Sequence, residues 1–418
     1  MNANFLNKNC ACRTFDSELL KTHLASDELL KGLYEQITEA RPNLFSSTTV
    51  FISPAQLDMM TSTINAIEET IKIPEYQKNI FDYSPSISRI NMGPNGVFMG
   101  YDFHLSDEGP KLIEINTNAG GALLNLELAK AQQKCCQEKN HFFKNADDIL
   151  NLDLAFFEMF QHEWKKQKGE STLGLIAIID DDPESQYLYP EFQLFQRLFS
   201  KFGTKSVIAD PKDLIFEKGG LWHKGEKVDL VYNRLTDFYL ADKNHQSLRQ
   251  AFENNAIVLT PAPYHHAIYA NKKNLATLTN LKCLDELKIS PKTKEALLSG
   301  IPHTQVVKID HANDLWERRR NLFFKPLSGF GSKATYRGDK ITRNVWSEIL
   351  KGEYVAQELI PPSTRLIQNT DDQTDLKLDI RAYVYEGKIQ LLAARLYSGQ
   401  TTNFRTSGGG FAPVFVLS

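Results

Sequence analysis

Cysteine is scarce in this chain: five in 418 residues, an odd number, with Cys135 and Cys136 adjacent. That excludes a disulfide scaffold and suits a reducing compartment. An excess of one charge is lacking too. Lys+Arg 48 against Asp+Glu 51 leaves a net charge of −3, so no overall basic field points to a nucleic-acid or membrane partner. No run of 18 apolar residues occurs, and the start, MNANFLNKNCACRTF, has no apolar signal core. A cytoplasmic protein is expected. Internal repeats and low-complexity tracts are absent. What is present is ordinary: 42% hydrophobic and 24% charged residues, in a chain long enough for two or three domains.

Residues 1–96 read as mainly helical and irregular, with helical spacing over Ser17–Leu33 and Ser53–Ile73. Two β-rich runs follow, VFMGYDFHL and KLIEIN, joined by the hairpin signal SDEGP. Residues 122–136 and 147–165 return to helical spacing. Beyond the polar stretch 165–172, strands LGLIAIID, KSVIA and VDLVYNR alternate with the helix YPEFQLFQRLFSKFG. That alternation implies a small parallel α/β domain. The last third looks α+β: helices at 271–288 and 342–351, with strands LFFKPL, YVAQELI, DIRAYVYEG, IQLLAARLY and FAPVFVL. The polar stretch 361–376 is expected to be an exposed loop. The predicted division is 1–168, 169–263 and 264–418.

Three constellations could carry chemistry. Counting outward from Glu108 at the centre of SDEGP sets Leu105 opposite Lys111 and Asp102 opposite Glu114. Asn116, two residues on, shares the face of Glu114. Facing carboxylates repel unless a cation sits between them, and oxygen-only ligands suit Mg²⁺ or Mn²⁺. The glycine-rich turn NTNAGG follows directly; the other reading is a solvated hairpin face. The second constellation is FFKPLSGFGSK. Lys325 leads into Ser328, Gly329, Gly331, Ser332 and Lys333, a cation and a run of N–H donors that suit phosphate. A hairpin turn with a surface lysine is its bland alternative. The third is Asp379 and Arg381 on one strand face, with Arg395 on the next strand, then Asn403, Arg405 and Gly408–Gly410. Converging arginines bind phosphate or carboxylate, or else form a structural Asp–Arg network. Cys10-x-Cys12, His265-His266 and Arg318–Arg320 read as incidental, packing and solvated features.

In this order the motifs resemble those of the ATP-grasp ligases. That family shows a lysine before the glycine-rich loop (here Lys272 or Lys273), a K-P strand, a Q-E-x-I hinge (Gln357, Glu358, Leu359, Ile360), a D-x-R strand, and then R…N…GG (Arg395, Asn403, Gly409). Its metal-binding D…E-x-N element normally comes last. Here it comes first, as Asp102, Glu114 and Asn116, so the chain resembles a circularly permuted ATP-grasp protein with a central α/β substrate domain. Permuted members include eukaryotic-type glutathione synthetases and a bacterial ligase-like family. LIEINTNAGG and VDLVYNRLTDFYL are similar to segments of the synthetases, and the likeness runs from about residue 97 onward. The loop lacks the acidic residue found in the synthetases, and the substrate-contacting segments match poorly.

The resemblance implies ATP-dependent ligation of a small-molecule carboxylate to an amine through an acylphosphate, with ATP and Mg²⁺ (or Mn²⁺) as cofactors. Arg381, Arg395 and Asn403 would serve the transferring group. Lys272, Lys273, Lys325, the loop and the hinge would hold the nucleotide. Arg234, matched to the V-Y-x-R arginine, would meet the substrate with Asn118, Gly120 and Gly409. Arg89 and Gln186 are looser candidates. No nucleic-acid or membrane partner is expected, and a homo-oligomer is left open. A phosphotransferase, or a non-catalytic nucleotide-binding protein, are the alternatives.

Overall fold

Three strands come from the first third of the chain: β1 (Val50–Ile52), β2 (Met99–Ser106) and β3 (Gly109–Asn116). The computed structural model describes residues 2–10, 14–131, 146–327, 334–368 and 373–417. β2 and β3 form a hairpin around Asp107-Glu108, followed by Gly109 at φ +107°. A residue without Cβ tolerates that conformation. Leu105 faces Pro110, one step off the expected pairing with Lys111. A bulge then takes up Ile113 and restores Asp102 opposite Glu114. Two one-residue offsets cancel.

The middle of the chain builds a parallel sheet. β4 (Leu175–Ile179) and β5 (Lys205–Ala209) are followed by a three-stranded antiparallel flap of β6 (Leu214–Glu217), β7 (Gly220–His223) and β8 (Glu226–Val228). β9 (Leu230–Asn233) and β10 (Val258–Thr260) complete the order β10-β9-β4-β5. All five residues of β4 are buried, as expected for a strand covered on both faces. The chain leaves β4 toward β5 and returns on its other side at β9. The β4/β9 boundary is therefore the switch point of this sheet.

β11 (Thr304–Val306), β12 (Leu322–Pro326), β13 (Tyr336–Arg337) and β14 (Tyr354–Glu358) make a third sheet. Its own small core includes Leu315, Phe324, Trp346 and Ile349. The chain ends in β15 (Ser363–Gln368), β16 (Gln373–Tyr385), β17 (Lys388–Tyr397) and β18 (Gly410–Val416). These join the first three strands in one seven-stranded sheet, in the order β1-β18-β17-β16-β2-β3 with β15 on β16. The early hairpin thus continues a sheet built mainly from the end of the chain.

Side chains alternate across that sheet. Ile380, Ala382 and Val384 enter one core, covered by the helix Pro54–Ile71, whose start carries a Ser53/Gln56 capping box. Tyr383 and Tyr385 enter the other. There the ring of Phe98 lies 5.1–6.5 Å from those of Phe156, Phe160, Phe195, Tyr232 and Tyr383. This cluster fastens the central sheet to the large one, and truncating such a ring to alanine costs about 3–5 kcal/mol.

The expected loop 361–376 is not simply a loop. β15 pairs with the first half of β16, and Arg365 is fully buried. Its guanidinium donates to the carbonyls of Thr49 and Asn7 and to the Thr48 hydroxyl. Polarity misled because those acceptors replace water. Among the described residues no helix is long and apolar enough to cross a membrane.

Candidate active site

Pairing across β3, β2, β16 and β17 lines up the third constellation with the first. Glu114 faces Asp102, Asp102 faces Arg381, and Asp379 faces Arg395. Arg381 grips Asp102 with Nε and Nη2, each at 2.7 Å, and Arg395 Nη2 reaches the same carboxylate at 2.8 Å. Arg395 Nε donates to Asp379 at 2.7 Å, and Thr402 Oγ1 to the other Asp379 oxygen at 2.5 Å. Asp102 is fully buried. Burial pushes its carboxyl up, but the Arg381 and Arg395 guanidiniums outweigh that and hold it down at about 2.

That geometry corrects one expectation. Asp102 is not a carboxylate awaiting a cation to relieve repulsion from Glu114; its charge is already met by two arginines. A metal that reached it would have to share it with both guanidiniums. Asn116 Nδ2 donates to Asp102 at 3.0 Å and to Glu114 at 3.3 Å, which leaves Oδ1 as the Asn116 atom able to ligate. Glu114 and Asn116 therefore remain a hard, two-oxygen donor set. It suits Mg²⁺, which takes a carboxylate or two and completes its shell with phosphate and water. Among the described residues no group of three His, Cys, Asp or Glu could hold a metal alone.

Above this row opens a cleft of about 310 Å³. Lys325, at the end of β12, is almost fully buried and donates to the Ile113 carbonyl at 2.8 Å and to Gln357 Oε1 at 2.9 Å. The alternative of a surface lysine is thereby excluded. Burial, only partly offset by the Glu114 carboxylate, lowers its ammonium to about 8. Six cationic side chains line the cleft, Lys272, Lys325, Arg337, Lys377, Arg381 and Arg395, against the acids Glu114 and Glu358. Counted against Asp102 and Asp379 as well, which pair with Arg381 and Arg395, the balance is still cationic and suits an anion. The hinge, Gln357 to Ile360 with Pro362, lines the same cleft, and Phe323 and Phe404 add apolar surface. The Glu358 and Leu359 amides donate to the His303 and Asn321 carbonyls, both at 2.9 Å.

The predicted residues thus divide. Glu114, Asn116, Lys272, Lys325, the four hinge residues, Arg381 and Arg395 share one cleft, with Asp102 bonded behind it. Lys273 points elsewhere, its ammonium 3.6 Å from the centre of the Tyr83 ring. Ser328, Gly329, Gly331, Ser332 and Lys333 lie outside the described residues. Asn403 does not line the cleft: its amide donates to the Ser398 and Thr401 carbonyls, and its Oδ1 accepts from the Arg405 amide, shaping its own loop. Gly409 lies in a close backbone approach, where a Cβ would come within 2.5 Å of the Leu396 carbonyl.

Arg234, Asn118 and Gly120 do come together, though away from that cleft, at the switch point of the central sheet. Arg234 is 7% exposed and donates to the Asn118 carbonyl at 2.8 Å, and Asn118 Nδ2 returns a bond to the Leu235 carbonyl at 2.8 Å. Gly120 is tight against Arg234, where a Cβ would meet Nη2 at 2.5 Å. The amides of Gly121 and Leu123 are taken by the buried Glu191 carboxylate. Arg89 donates to the Phe81 carbonyl, and Gln186 Nε2 to that of Asp181. His265 is a buried packing residue, as expected. Sequence reasoning missed His104, Arg337, Lys377 and the wall Gln400–Thr402. Alternation along β2 from Asp102 pointed to His104; the others carry no local signal.

No protein-family model matches the sequence, and no curated protein matches it. Among solved structures, a glutathione synthetase-like effector from Globodera pallida aligns with a TM-score of 0.56 at 12% identity, over 94% of this chain and 98% of its own. A putative gamma-glutamylcysteine synthetase from Methylobacillus flagellatus aligns at 0.48 and 11% identity, over 85% of this chain and 86% of its own. The ATP-grasp ligase PsnB, complexed with a minimal precursor, aligns at 0.33 and 10% identity, over 58% and 90%. The first of these likenesses shows a shared fold. The chain has the α+β ATP-grasp fold of the glutathione synthetase-like protein.

Proposed function

We propose that the chain is a circularly permuted ATP-dependent carboxylate–amine ligase. The observation that carries the reading is the cleft itself: cationic side chains, the Glu114/Asn116 oxygens, the backbone hinge and apolar side chains all line one space. A nucleoside triphosphate offers matching anionic and apolar parts. Since Glu358 and Leu359 have committed their amides, the adenine edge would be met by the Ile360 amide and the Leu359 carbonyl. Lys325 and Lys272 would hold phosphates, with Arg381 and Arg395 on the transferring group. Glu114 and Asn116 would hold Mg²⁺, which when bound neutralises phosphate charge and orients the oxygens.

The enzyme's work would be positioning and charge neutralisation, since phosphoryl transfer leaves little covalent chemistry to the protein. A carboxylate oxygen attacks the terminal phosphorus and ADP leaves. The amine then attacks the acyl carbon, and phosphate departs with one of the original carboxylate oxygens. The central α/β domain would carry the acceptors, small molecules whose identity the site does not name. A screen of carboxylate and amine pairs for ADP release tests this, followed by the active pair with ¹⁸O in the carboxylate. One labelled oxygen per phosphate is expected. Turnover without an amine, giving a stable phosphorylated product, would mark a phosphotransferase instead; absence of any turnover would leave a nucleotide-binding protein.

A further inference from the structure

His104 lines the same cleft and has no role in the proposed ligation. It lies on β2, two residues beyond Asp102, so roughly 6.6 Å along the strand from the carboxylate that anchors the arginines. Its Nδ1 lies 2.7 Å from the Ile360 carbonyl. A carbonyl oxygen only accepts, so Nδ1 must carry the proton, and that fixes the tautomer. Nε2 is then the acceptor of the neutral ring, and it has no partner among the described residues. One imidazole thus links the strand that carries Asp102 to the hinge, and keeps a lone pair on a ring that lines the cleft.

We infer that His104 is a specificity residue, whose Nε2 accepts a hydrogen bond from a nucleoside donor, the exocyclic amine of adenine or a ribose hydroxyl. The inference rests on the nucleotide reading of the cleft. It gives a use to the ring nitrogen of His104 that the Ile360 carbonyl leaves over. Backbone at Ile360 alone reads only the shape and edge of a purine. An acceptor beside it rewards a ligand that brings a donor to that point, and rejects one that does not.

Calorimetric titration at pH 8, where an imidazole of ordinary pKa near 6.5 is neutral, separates the cases. Wild type and His104→Ala are each titrated with Mg²⁺ and ATP, ITP, 2′-deoxy-ATP or 3′-deoxy-ATP. ITP lacks the amine, and each deoxynucleotide lacks one hydroxyl. Wild type should bind one analogue roughly three- to tenfold more weakly than ATP. His104→Ala should lose about that factor for ATP and nothing further for that analogue. The analogue that responds identifies the donor. His104→Gln, which keeps an acceptor, should recover part of the preference. An equal loss for all four nucleotides would mean that His104 merely braces the hinge, and no loss would mean that it does not meet the nucleotide; either overturns the inference while the nucleotide site stands. No binding of ATP to wild type would remove the nucleotide reading and this inference with it.

Discussion

Asp102→Asn places an amide where a fully buried carboxylate meets two guanidiniums. The substitution keeps the shape, so the change is almost purely electrostatic. Two routes bound its size. The folded carboxyl is held at about 2 against an ordinary 3.8, so ionisation of this group alone contributes about 2 kcal/mol at neutral pH. Breaking a buried pair by removing one partner typically costs about 3–5 kcal/mol, because the opposite charge is stranded. Arg395 retains Asp379 and so softens the loss, whereas Arg381 has no second carboxylate bonded to it among the described residues. A destabilisation of about 2–4 kcal/mol follows. The sign with pH is also set: a depressed carboxyl gives stability above its unfolded pKa, and loses it as pH falls through the folded value near 2. Urea unfolding followed by far-ultraviolet circular dichroism at pH 7 reads the difference. A variant as stable as wild type, or more stable, would refute the ion-pair account and return Asp102 to the role of a repelled carboxylate.

Other expectations follow from the same reasoning. Lys325→Met should stay within about 2 kcal/mol of wild-type stability at pH 7, since relief of the buried ammonium is set against two acceptors left without their donor. The wild type should regain ground between pH 8 and 10.5, as the folded lysine sheds its proton before the unfolded one; melting temperatures across that range check this. Arg234→Met should cost about 3 kcal/mol in urea unfolding, because it frees the Asn118 turn and leaves Glu191 without its nearby cation. His245, desolvated but bonded to Asp237 and Asp181, is raised to about 9. Its contribution is full below pH 6.5 and lost as pH climbs through 9, so the wild-type melting temperature should fall more over that interval than that of His245→Asn.

The sequence carried the large sheet and the parallel middle domain because strand and helix periodicities there are long and uninterrupted, as in LIAII and YPEFQLFQRLFSK. The hairpin partnership of Asp102 and Glu114 was legible through the count, although a bulge at Ile113 was needed to restore it. What that partnership means was not. Charge balance at Asp102 depends on Arg381 and Arg395, and pairing across β2, β16 and β17 is decided by tertiary structure rather than spacing. The same limit hid the burial of Lys325 and Arg365, whose partners lie on distant segments. Lys272 and Lys273 could not be told apart by order alone; at the start of a helix, the rotation of about 100° between successive residues sends the second toward Tyr83.

The central claim is that the cleft around Lys325 takes ATP with Mg²⁺. Calorimetric titration of ATP into the full chain, with and without Mg²⁺, for wild type and Lys325→Met, tests it most directly. The account predicts one site per chain, tighter with Mg²⁺, and a loss of tenfold or more in a variant that remains folded. A wild-type chain that binds no ATP, or a Lys325→Met chain that binds it unchanged, would contradict the account.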